Sequence, residues 1–251
     1  MRELTLVTDH YHEHPAQDVA VSHATLSAVA RGEIGGVFRL HDPLPVVAFG
    51  RIDRVHPRYP QAVRAAAAHG FAGVERLAGG RAAVFHQSTL AFALATAEND
   101  PREGIRHRFA TIAEVMAEAF DGLGLDARIG ELPGEYCPGE WSVNIGGRVK
   151  VMGVGQRLVR GGAHMGGVVV VDEGERIRDV LIPVYRALEL DWDPRTCGAL
   201  ADRAPGLDNA KVRSAIVAAM RQRYDLVPGS LSPTILAEAE SLLPDHLPRV
   251  A

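Results

Sequence analysis

The segment at residues 133–167, PGEYCPGEWSVNIGGRVKVMGVGQRLVRGGAHMGG, constrains the fold of this chain more than any other. Short runs of strand-forming residues alternate in it with glycines, a pattern typical of antiparallel hairpins. The sequence predicts one strand over 141–145, a turn at Gly146-Gly147 and a returning strand over 148–152. The repeated glycines let the backbone approach a ligand closely, so we expect a binding site along this segment.

Three residues of this segment can carry chemistry, and we expect them on turns between short strands. Cys137 lies in a Tyr-Cys-Pro-Gly turn, Lys150 follows the hairpin, and His164 lies among glycines. An antiparallel return brings Lys150 towards the start of the first strand, so a pair of Cys137 and Lys150 is geometrically available. A structural cysteine and a surface lysine are the alternatives, and spacing alone leaves both open.

Composition and charge narrow the class of protein. With 251 residues, 47% hydrophobic and 23% charged, the chain can bury a full core as one domain or one domain plus an appendage. A net charge of -4 argues against nucleic acid or an anionic membrane as its partner. Two cysteines are too few for a disulfide scaffold or a zinc site of cysteines. No apolar run reaches the ~20 residues of a membrane span, so we expect a cytoplasmic protein.

The order of predicted elements indicates an α+β fold, with a mixed or antiparallel sheet and helices on one side. Helices are predicted at 16–31, 60–69 and 105–123, and strands at 4–7, 37–40, 45–49 and 168–171. After residue 183 the pattern is helical, with helices at 184–188, at 208–223 and after Ser232-Pro233. We therefore divide the chain into a catalytic unit at 1–182 and a helical appendage at 183–251. Near the N-terminus, His10, His12 and His14 fit a solvated loop better than a metal site.

A second informative segment, VERLAGGRAAVFHQSTLAFAL, spans residues 74–94. It predicts a hairpin with strands at 74–77 and 83–86 around a Gly79-Gly80 turn, followed by a strand at 90–95. Arg76 and Arg81 flank the glycines, so guanidinium and backbone N–H groups can converge on a carboxylate or phosphate. The Gly-Lys-Ser/Thr of a Walker loop is missing. A plain turn with two solvated arginines is the alternative.

Together the two segments resemble the lipoate- and biotin-protein ligase and octanoyltransferase superfamily. The resemblance rests on RLAGGRAAVFH, on the lysine in VKVMGVGQR and on the glycine-rich segment around His164, and it spans roughly residues 18–185. It implies a fold of the class II aminoacyl-tRNA synthetase type. Arg81, where the ligases more often have a third glycine, and the segment around Cys137 are similar to the cysteine-dependent acyltransferase branch. Gln87 and Val154-Gly155 depart from the family pattern, which has Asp and Ser-Ala there.

The resemblance implies roles for these residues. Cys137 would be the nucleophile, and Lys150 would favour its thiolate and either pass a proton to the leaving group or donate to the acyl carbonyl oxygen. The remaining predicted residues would bind the acyl group: Arg76, Gly79, Gly80, Arg81, His86, Gly153, Gly155, Gln156 and His164.

The activity implied is movement of an octanoyl or lipoyl-type group through a Cys137 thioester onto a lysine of a lipoyl carrier domain. That carrier would be the H protein of glycine cleavage or the acyltransferase subunit of a 2-oxoacid dehydrogenase, and acyl carrier protein could take part. The cycle requires no metal and no bound cofactor. Two alternatives remain open: a ligase that uses ATP and Mg²⁺ to form an acyl-adenylate, with Cys137 only structural, and a non-catalytic relative that binds carriers.

Overall fold

The computed structural model describes residues 1–249, which contain eleven strands and seven α-helices. The strands are β1 Arg2–Val7, β2 Gly36–His41, β3 Val46–Phe49, β4 Ala72–Glu75, β5 Ala83–Phe85, β6 Thr89–Ala97, β7 Ala127–Ile129, β8 Val143–Ile145, β9 Val149–Val159, β10 Gly162–Val170 and β11 Tyr224–Pro228. The helices are α1 Gln17–Ala30, α2 Arg51–Arg54, α3 Tyr59–Ala68, α4 Ile105–Asp121, α5 Gly174–Ala187, α6 Asn209–Arg221 and α7 Pro233–Leu242.

Eight strands form one mixed sheet, in the order β11-β1-β2-β6-β10-β9-β8-β7. β1 runs parallel to β11 and β2, and all other pairs in this sheet are antiparallel. β6 lies near the middle and is buried over eight of its nine residues. Because side chains alternate between the faces of a strand, its sequence TLAFALATA gives the sheet one face of large residues and one of small residues.

The two faces of this sheet are covered differently. On the first face, Leu90, Phe92 and Leu94 pack with apolar residues of α4 and α6. On the second face, Ala95 packs with α1 and α7. The sequence therefore predicted the α+β class and the mixed sheet correctly, but helices cover both faces, because β6 is apolar on both sides.

A second sheet of three strands, in the order β4-β3-β5, lies with α3 and α5. β3 pairs in parallel with β4 and antiparallel with β5. The predicted hairpin over 74–86 is therefore wrong, because the apolar strand β3 inserts between its two strands. The connecting residues 76–82 cross the end of β3 instead of forming a tight turn.

The predicted hairpin over 141–152 is confirmed, with β8 and β9 antiparallel and positive φ angles of 62° and 67° at Gly146 and Gly147. β9 and β10 are longer than the sequence indicated, at 11 and 9 residues. Lys150 and His164 consequently lie within strands and not on turns. Small residues inside these strands were taken for turn signals, although they belong to a continuous antiparallel pair.

The C-terminal part is more closely joined to the sheet than a helical appendage. The predicted boundary after residue 182 falls inside α5, and β11 extends the main sheet beside β1. Tyr224 to Pro228 pairs in register with Arg2 to Leu6, a long-range contact that leaves little local signal in the sequence. The division into two units stays a prediction, and its last two positions, 250 and 251, lie outside the described residues.

Candidate functional site

A cavity of about 530 Å³ lies between the second face of the main sheet and the smaller sheet. Its floor consists of small residues at alternate positions of three adjacent strands, where missing side chains leave room: Ala91, Ala93, Gly153, Gly155 and Gly166. Apolar side chains from the smaller sheet face it, among them Val46, Ala48 and Phe85. A trough of this composition fits an aliphatic chain.

Cys137 lines this cavity from the loop that precedes β8. Its φ of 42° lies in the left-handed region, where a non-glycine residue is uncommon and needs support from its surroundings. That support comes from its backbone N–H, which donates to Tyr185 Oη at 2.8 Å. Tyr185 Oη in turn donates to the carbonyl oxygen of Ala82 at 3.0 Å. The hydroxyl thus joins the cysteine loop to the end of the 76–82 segment.

The sulfur of Cys137 accepts two hydrogen bonds from the 76–82 segment. Arg76 Nη2 lies 3.4 Å and the backbone nitrogen of Arg81 3.3 Å from Sγ. Burial would raise the pKa of this thiol, but the charges of Arg76 and Lys150 and the two hydrogen bonds outweigh it. The pKa of Cys137 therefore lies below its ordinary value, which favours the nucleophilic thiolate.

Lys150 is nearly fully buried beneath the cysteine loop, with 1% of its surface exposed. Its ammonium group donates to Glu135 Oε1 at 2.7 Å, to the carbonyl oxygen of Tyr136 at 3.0 Å and to that of Cys137 at 2.8 Å. These bonds use all three donors of an ammonium group. Lys150 therefore contacts Cys137 through the carbonyl oxygen of the cysteine and acts on the thiol through its charge. In this arrangement Lys150 has no donor left for a substrate.

Two buried carboxylates and a tyrosine support the site, although the sequence did not single them out. Glu135 accepts from Lys150, from Ser142 Oγ at 2.6 Å and from the backbone nitrogen of Leu132 at 2.9 Å. Asp53, which is fully buried, lies 3.2 Å from Arg81 Nη1. In the sequence, only the position of Glu135 two residues before Cys137 indicates weakly that it belongs to the site. Asp53 and Tyr185 lie too far away along the chain to give any.

The structure brings most of the predicted substrate-binding residues to the cavity. Seven line it: Arg76, Gly79, Gly80, Gly153, Gly155, Gln156 and His164. Arg81 contributes its backbone N–H to Cys137, while its side chain pairs with Asp53.

The prediction for His86 is not met, because this residue does not line the cavity. It is fully buried in the turn between β5 and β6, where its Nδ1 accepts from the backbone nitrogen of Ser88 at 3.2 Å. Burial lowers the pKa of His86 to about 4, and the nearby charge of Arg176 adds to this. A neutral histidine that holds a turn explains the position.

Cys197 differs from Cys137 in every respect that matters for reactivity. It lies after a short 3₁₀ helix, Pro194–Thr196, with 4% of its surface exposed, and its thiol donates to the carbonyl oxygen of Gly174 at 3.5 Å. Its backbone forms an isolated bridge with Lys150, a neighbour that the sequence did not predict. Burial raises the pKa of Cys197 to about 12. This residue is a structural cysteine.

The N-terminal histidines form no metal site in the structure. His10 and His12 stack with ring centroids 4.5 Å apart, and His12 Nε2 lies 2.8 Å from the carbonyl oxygen of Asp42. Within residues 1–249, no group of three or more histidine, cysteine, aspartate or glutamate side chains could hold a metal ion. The helices of the same range include none that is both long and apolar enough to cross a membrane.

Proteins with related sequences are acyltransferases by name. The chain is 31% identical over 146 residues to the octanoyl-[GcvH]:protein N-octanoyltransferase of Geobacillus kaustophilus (strain HTA426), a match that covers 58% of this chain and 51% of the relative. It is 27% identical over 243 residues to the protein of the same name from Exiguobacterium sibiricum, covering 91% of this chain and 85% of the relative. The chain thus spans about half the length of the first relative and most of the second.

Solved structures with the same fold are lipoate-protein ligases. A lipoate-protein ligase A bound with ATP superimposes with a TM-score of 0.75 at 17% identity, covering 96% of this chain and 94% of the other. A bi-partite lipoate protein ligase from Thermoplasma acidophilum gives a TM-score of 0.71 at 19% identity, covering 97% and 92%. At these identities the likeness establishes the fold. Residues 14–191 match the sequence model of the lipoyl protein ligase A/B catalytic domain, and because this is more than half of the chain, the protein belongs to that family.

Proposed function

We propose that this protein is an acyltransferase that moves an octanoyl group through a Cys137 thioester onto a lysine of a lipoyl carrier protein. The observation that carries the proposal is the hydrogen-bonded sulfur of Cys137 at an apolar cavity of about 530 Å³. The name of its relatives, octanoyl-[GcvH]:protein N-octanoyltransferase, supports the same donor and a protein acceptor. Transfer to a protein lysine fits the likeness to lipoate ligases, one of which is described together with its E2 lipoyl domain.

In the first half of the reaction, the Cys137 thiolate attacks the carbonyl carbon of the octanoyl group on its donor lysine. The C–N bond then breaks, the amine leaves with a proton, and the octanoyl group remains on the sulfur as a thioester. Arg76 Nη2 and the Arg81 N–H, which bond to the sulfur of Cys137, would instead donate to the carbonyl oxygen as negative charge moves onto it. Lys150 would act by holding the cysteine loop and by its charge.

In the second half, the neutral amine of the acceptor lysine attacks the thioester carbon. The C–S bond breaks, Cys137 returns to the thiolate, and the amine gives up one proton as the amide forms. This proton balances the one taken up by the leaving amine in the first half. The octanoyl chain would lie in the trough over Ala93 and Gly166, so that its carbonyl carbon stays beside the sulfur in both steps.

An ATP-dependent ligase is the second candidate, favoured by the likeness to an ATP-bound ligase structure. A ligase activates a free acid as an adenylate, so its arginine and glycine loop must hold phosphate groups. Here the corresponding groups are already engaged: Arg76 and the Arg81 N–H bond to Cys137 Sγ, and the Arg81 side chain pairs with Asp53. This arrangement supports the transferase. A bound cofactor is not needed for the proposed cycle, and a cytoplasmic location stays a prediction.

Intact-mass spectrometry tests the proposal directly. The protein is incubated with an octanoylated carrier domain in the absence of ATP, and we expect a mass increase of one octanoyl group that hydroxylamine removes. A Cys137→Ser variant should gain no such adduct and should not modify an acceptor carrier, because a serine hydroxyl is scarcely ionised near neutral pH. Cys197→Ser is the matched control and should behave as the parent. Transfer by Cys137→Ser at the parent's rate would overturn the thioester mechanism.

A further inference from the structure

The sulfur of the proposed nucleophile and its two hydrogen-bond donors lie on separate segments outside the strands. Cys137 lies on the loop before β8, whereas Arg76 and the Arg81 N–H belong to the 76–82 segment. This segment contains Gly80, and glycine restrains the backbone less than any other residue. The distances from the two donors to Sγ therefore depend on what holds the cysteine loop and the 76–82 segment together.

A single hydroxyl group links the two segments. Tyr185 Oη accepts from the backbone N–H of Cys137 at 2.8 Å and donates to the carbonyl oxygen of Ala82 at 3.0 Å. A hydroxyl group has one proton to donate and lone pairs with which to accept, so one oxygen atom can make both bonds. Because Ala82 directly follows Arg81 in the chain, the bond to its carbonyl oxygen also restrains the position of the Arg81 N–H.

The ring that carries this hydroxyl group is itself held in place. Tyr185 has 2% of its surface exposed and packs in the hydrophobic cluster of α3 and α5, with its ring centroid 5.6 Å from that of Trp192. Burial and the charge of Cys137 raise the pKa of Tyr185 well above its ordinary value. The hydroxyl group therefore keeps its proton, and stays a donor, over the pH range in which the thiol ionises.

The other bonds that hold the 76–82 segment are longer and do not involve the cysteine loop. Arg81 Nη1 lies 3.2 Å from Asp53 Oδ1, and the backbone nitrogen of Gly79 lies 3.4 Å from the carbonyl oxygen of Gln156. Tyr185 does not line the cavity, so it would affect the reaction through the cysteine and not by touching the acyl group.

We propose that Tyr185 is a positioning residue, whose hydroxyl group keeps the sulfur of Cys137 within hydrogen-bonding distance of Arg76 and of the Arg81 N–H. This inference rests on the proposed function and adds to it a residue that lies outside both sequence segments. Without the hydroxyl group the thiolate is less favoured, and the same donors are no longer aligned with the carbonyl oxygen of the acyl group during the attack.

Tyr185→Phe removes one oxygen atom and keeps the ring, so the core around it stays filled. We expect the pKa of the Cys137 thiol, measured from the pH dependence of iodoacetamide alkylation, to rise towards 9.0, because Sγ loses hydrogen bonds that lower it. The kcat for thioester formation near neutral pH should fall about tenfold, the size of effect that one or two lost hydrogen bonds give. The KM for the octanoylated carrier should change little.

The pH profile separates this role from a loss of packing. Raising the pH restores the thiolate in the variant, so the parent's advantage in the rate of thioester formation should be largest near neutral pH and should shrink as the pH passes 9.0. Tyr59→Phe is the matched control, since Tyr59 is equally buried in the same cluster and its hydroxyl group donates to Glu75 Oε1 at 3.4 Å. It should keep the parent's thiol pKa and kcat.

The possible outcomes separate this inference from the proposed function. An unchanged thiol pKa and an unchanged rate in Tyr185→Phe would overturn the inference, and a thioester on Cys137 in the same samples would leave the proposed function standing. Equal losses in Tyr185→Phe and Tyr59→Phe, or a change in KM alone, would also overturn it, because they would show only loosened packing or weaker carrier binding. A parent protein that forms no thioester would instead overturn the proposed function. Alkylation does not depend on turnover, so it would still decide whether Tyr185 sets the charge state of Cys137.

Discussion

The two cysteines show how the surroundings of a single atom decide its chemistry. The pKa of Cys137 is lowered because Arg76, Lys150 and the Arg81 N–H outweigh burial. The pKa of Cys197 is raised to about 12, with burial as the largest cause. Because the thiolate is the reactive form, Cys137 alkylation by iodoacetamide should level off at a pH below 9.0, the ordinary pKa of the thiol. Peptide mass mapping after timed alkylation measures the alkylation rates of Cys137 and Cys197. Alkylation of Cys197 as fast as that of Cys137 would contradict the assignment.

At the same scale, the three hydrogen bonds of Lys150 predict that arginine cannot replace it. A planar guanidinium is larger than an ammonium group and cannot place its donors on Glu135 Oε1 and on two carbonyl oxygens in a fully buried site. Lys150→Arg should therefore displace the cysteine loop and lower kcat by about 10²-fold, the cost of a nucleophile misplaced by about 1 Å. Lys211→Arg is the matched control, since the only other lysine of the chain is exposed on α6. A Lys150→Arg protein within a few-fold of the parent would show that only the charge matters.

At the scale of elements, the 76–82 segment works because one glycine allows it to touch the cysteine. Gly80 has a φ of 110°, and a Cβ on it would stand 3.0 Å from Cys137 Sγ and collide with the Arg76 guanidinium. Gly80→Ala should therefore break the Arg76 to Cys137 hydrogen bond, raise the thiol pKa and lower the rate of acyl-enzyme formation by at least about tenfold. The pH dependence of alkylation and single-turnover kinetics measure the two effects.

The matched control for this change is Gly35→Ala, in a position with open space around it and no positive φ. It should leave both the pKa of Cys137 and the rate unchanged. An unshifted thiol pKa in Gly80→Ala would show that Arg76 does not set the charge state of the cysteine.

Elements with a local signal could be predicted from the sequence, and those fixed by distant pairing could not. The β8–β9 hairpin is encoded by Gly146-Gly147, and α4 by apolar residues at helical spacing. The insertion of β3 pairs residues 26 positions apart with β4 and 35 to 39 positions apart with β5, and no turn signal in the sequence predicts such pairing. This insertion explains why the hairpin predicted around Arg76 and Arg81 was wrong, whereas Cys137 and most of the residues named from the resemblance do line the cavity. Their roles there stay predictions.

At the scale of the molecule, the site depends on parts of the chain far from its motifs. Tyr185 on α5 holds the backbone of Cys137, and α1 supplies Asp18 to the cavity wall. Both positions lie near the ends of the family match at 14–191, so the matched region has about the extent that the site requires. The residues after it add α6 and α7, which cover the main sheet, and β11, which extends that sheet beside β1.

Also at this scale, two activities can be distinguished by experiment, that of an ATP-dependent ligase and that of a transferase. A ligase must form an acyl-adenylate from free acid, so it requires ATP and Mg²⁺, whereas a transferase receives an acyl group that is already activated or attached. Because the Arg76 to Arg81 groups are directed at Cys137 Sγ, we expect octanoyl transfer between carrier domains to proceed at the same rate with and without ATP and Mg²⁺. Mass spectrometry of the acceptor carrier measures this, with Cys137→Ser as the control for uncatalysed transfer. If the acceptor is modified only when free octanoate or lipoate, ATP and Mg²⁺ are all supplied, the protein is a ligase, and the contacts of Arg76 with the sulfur would have to open to admit a nucleotide.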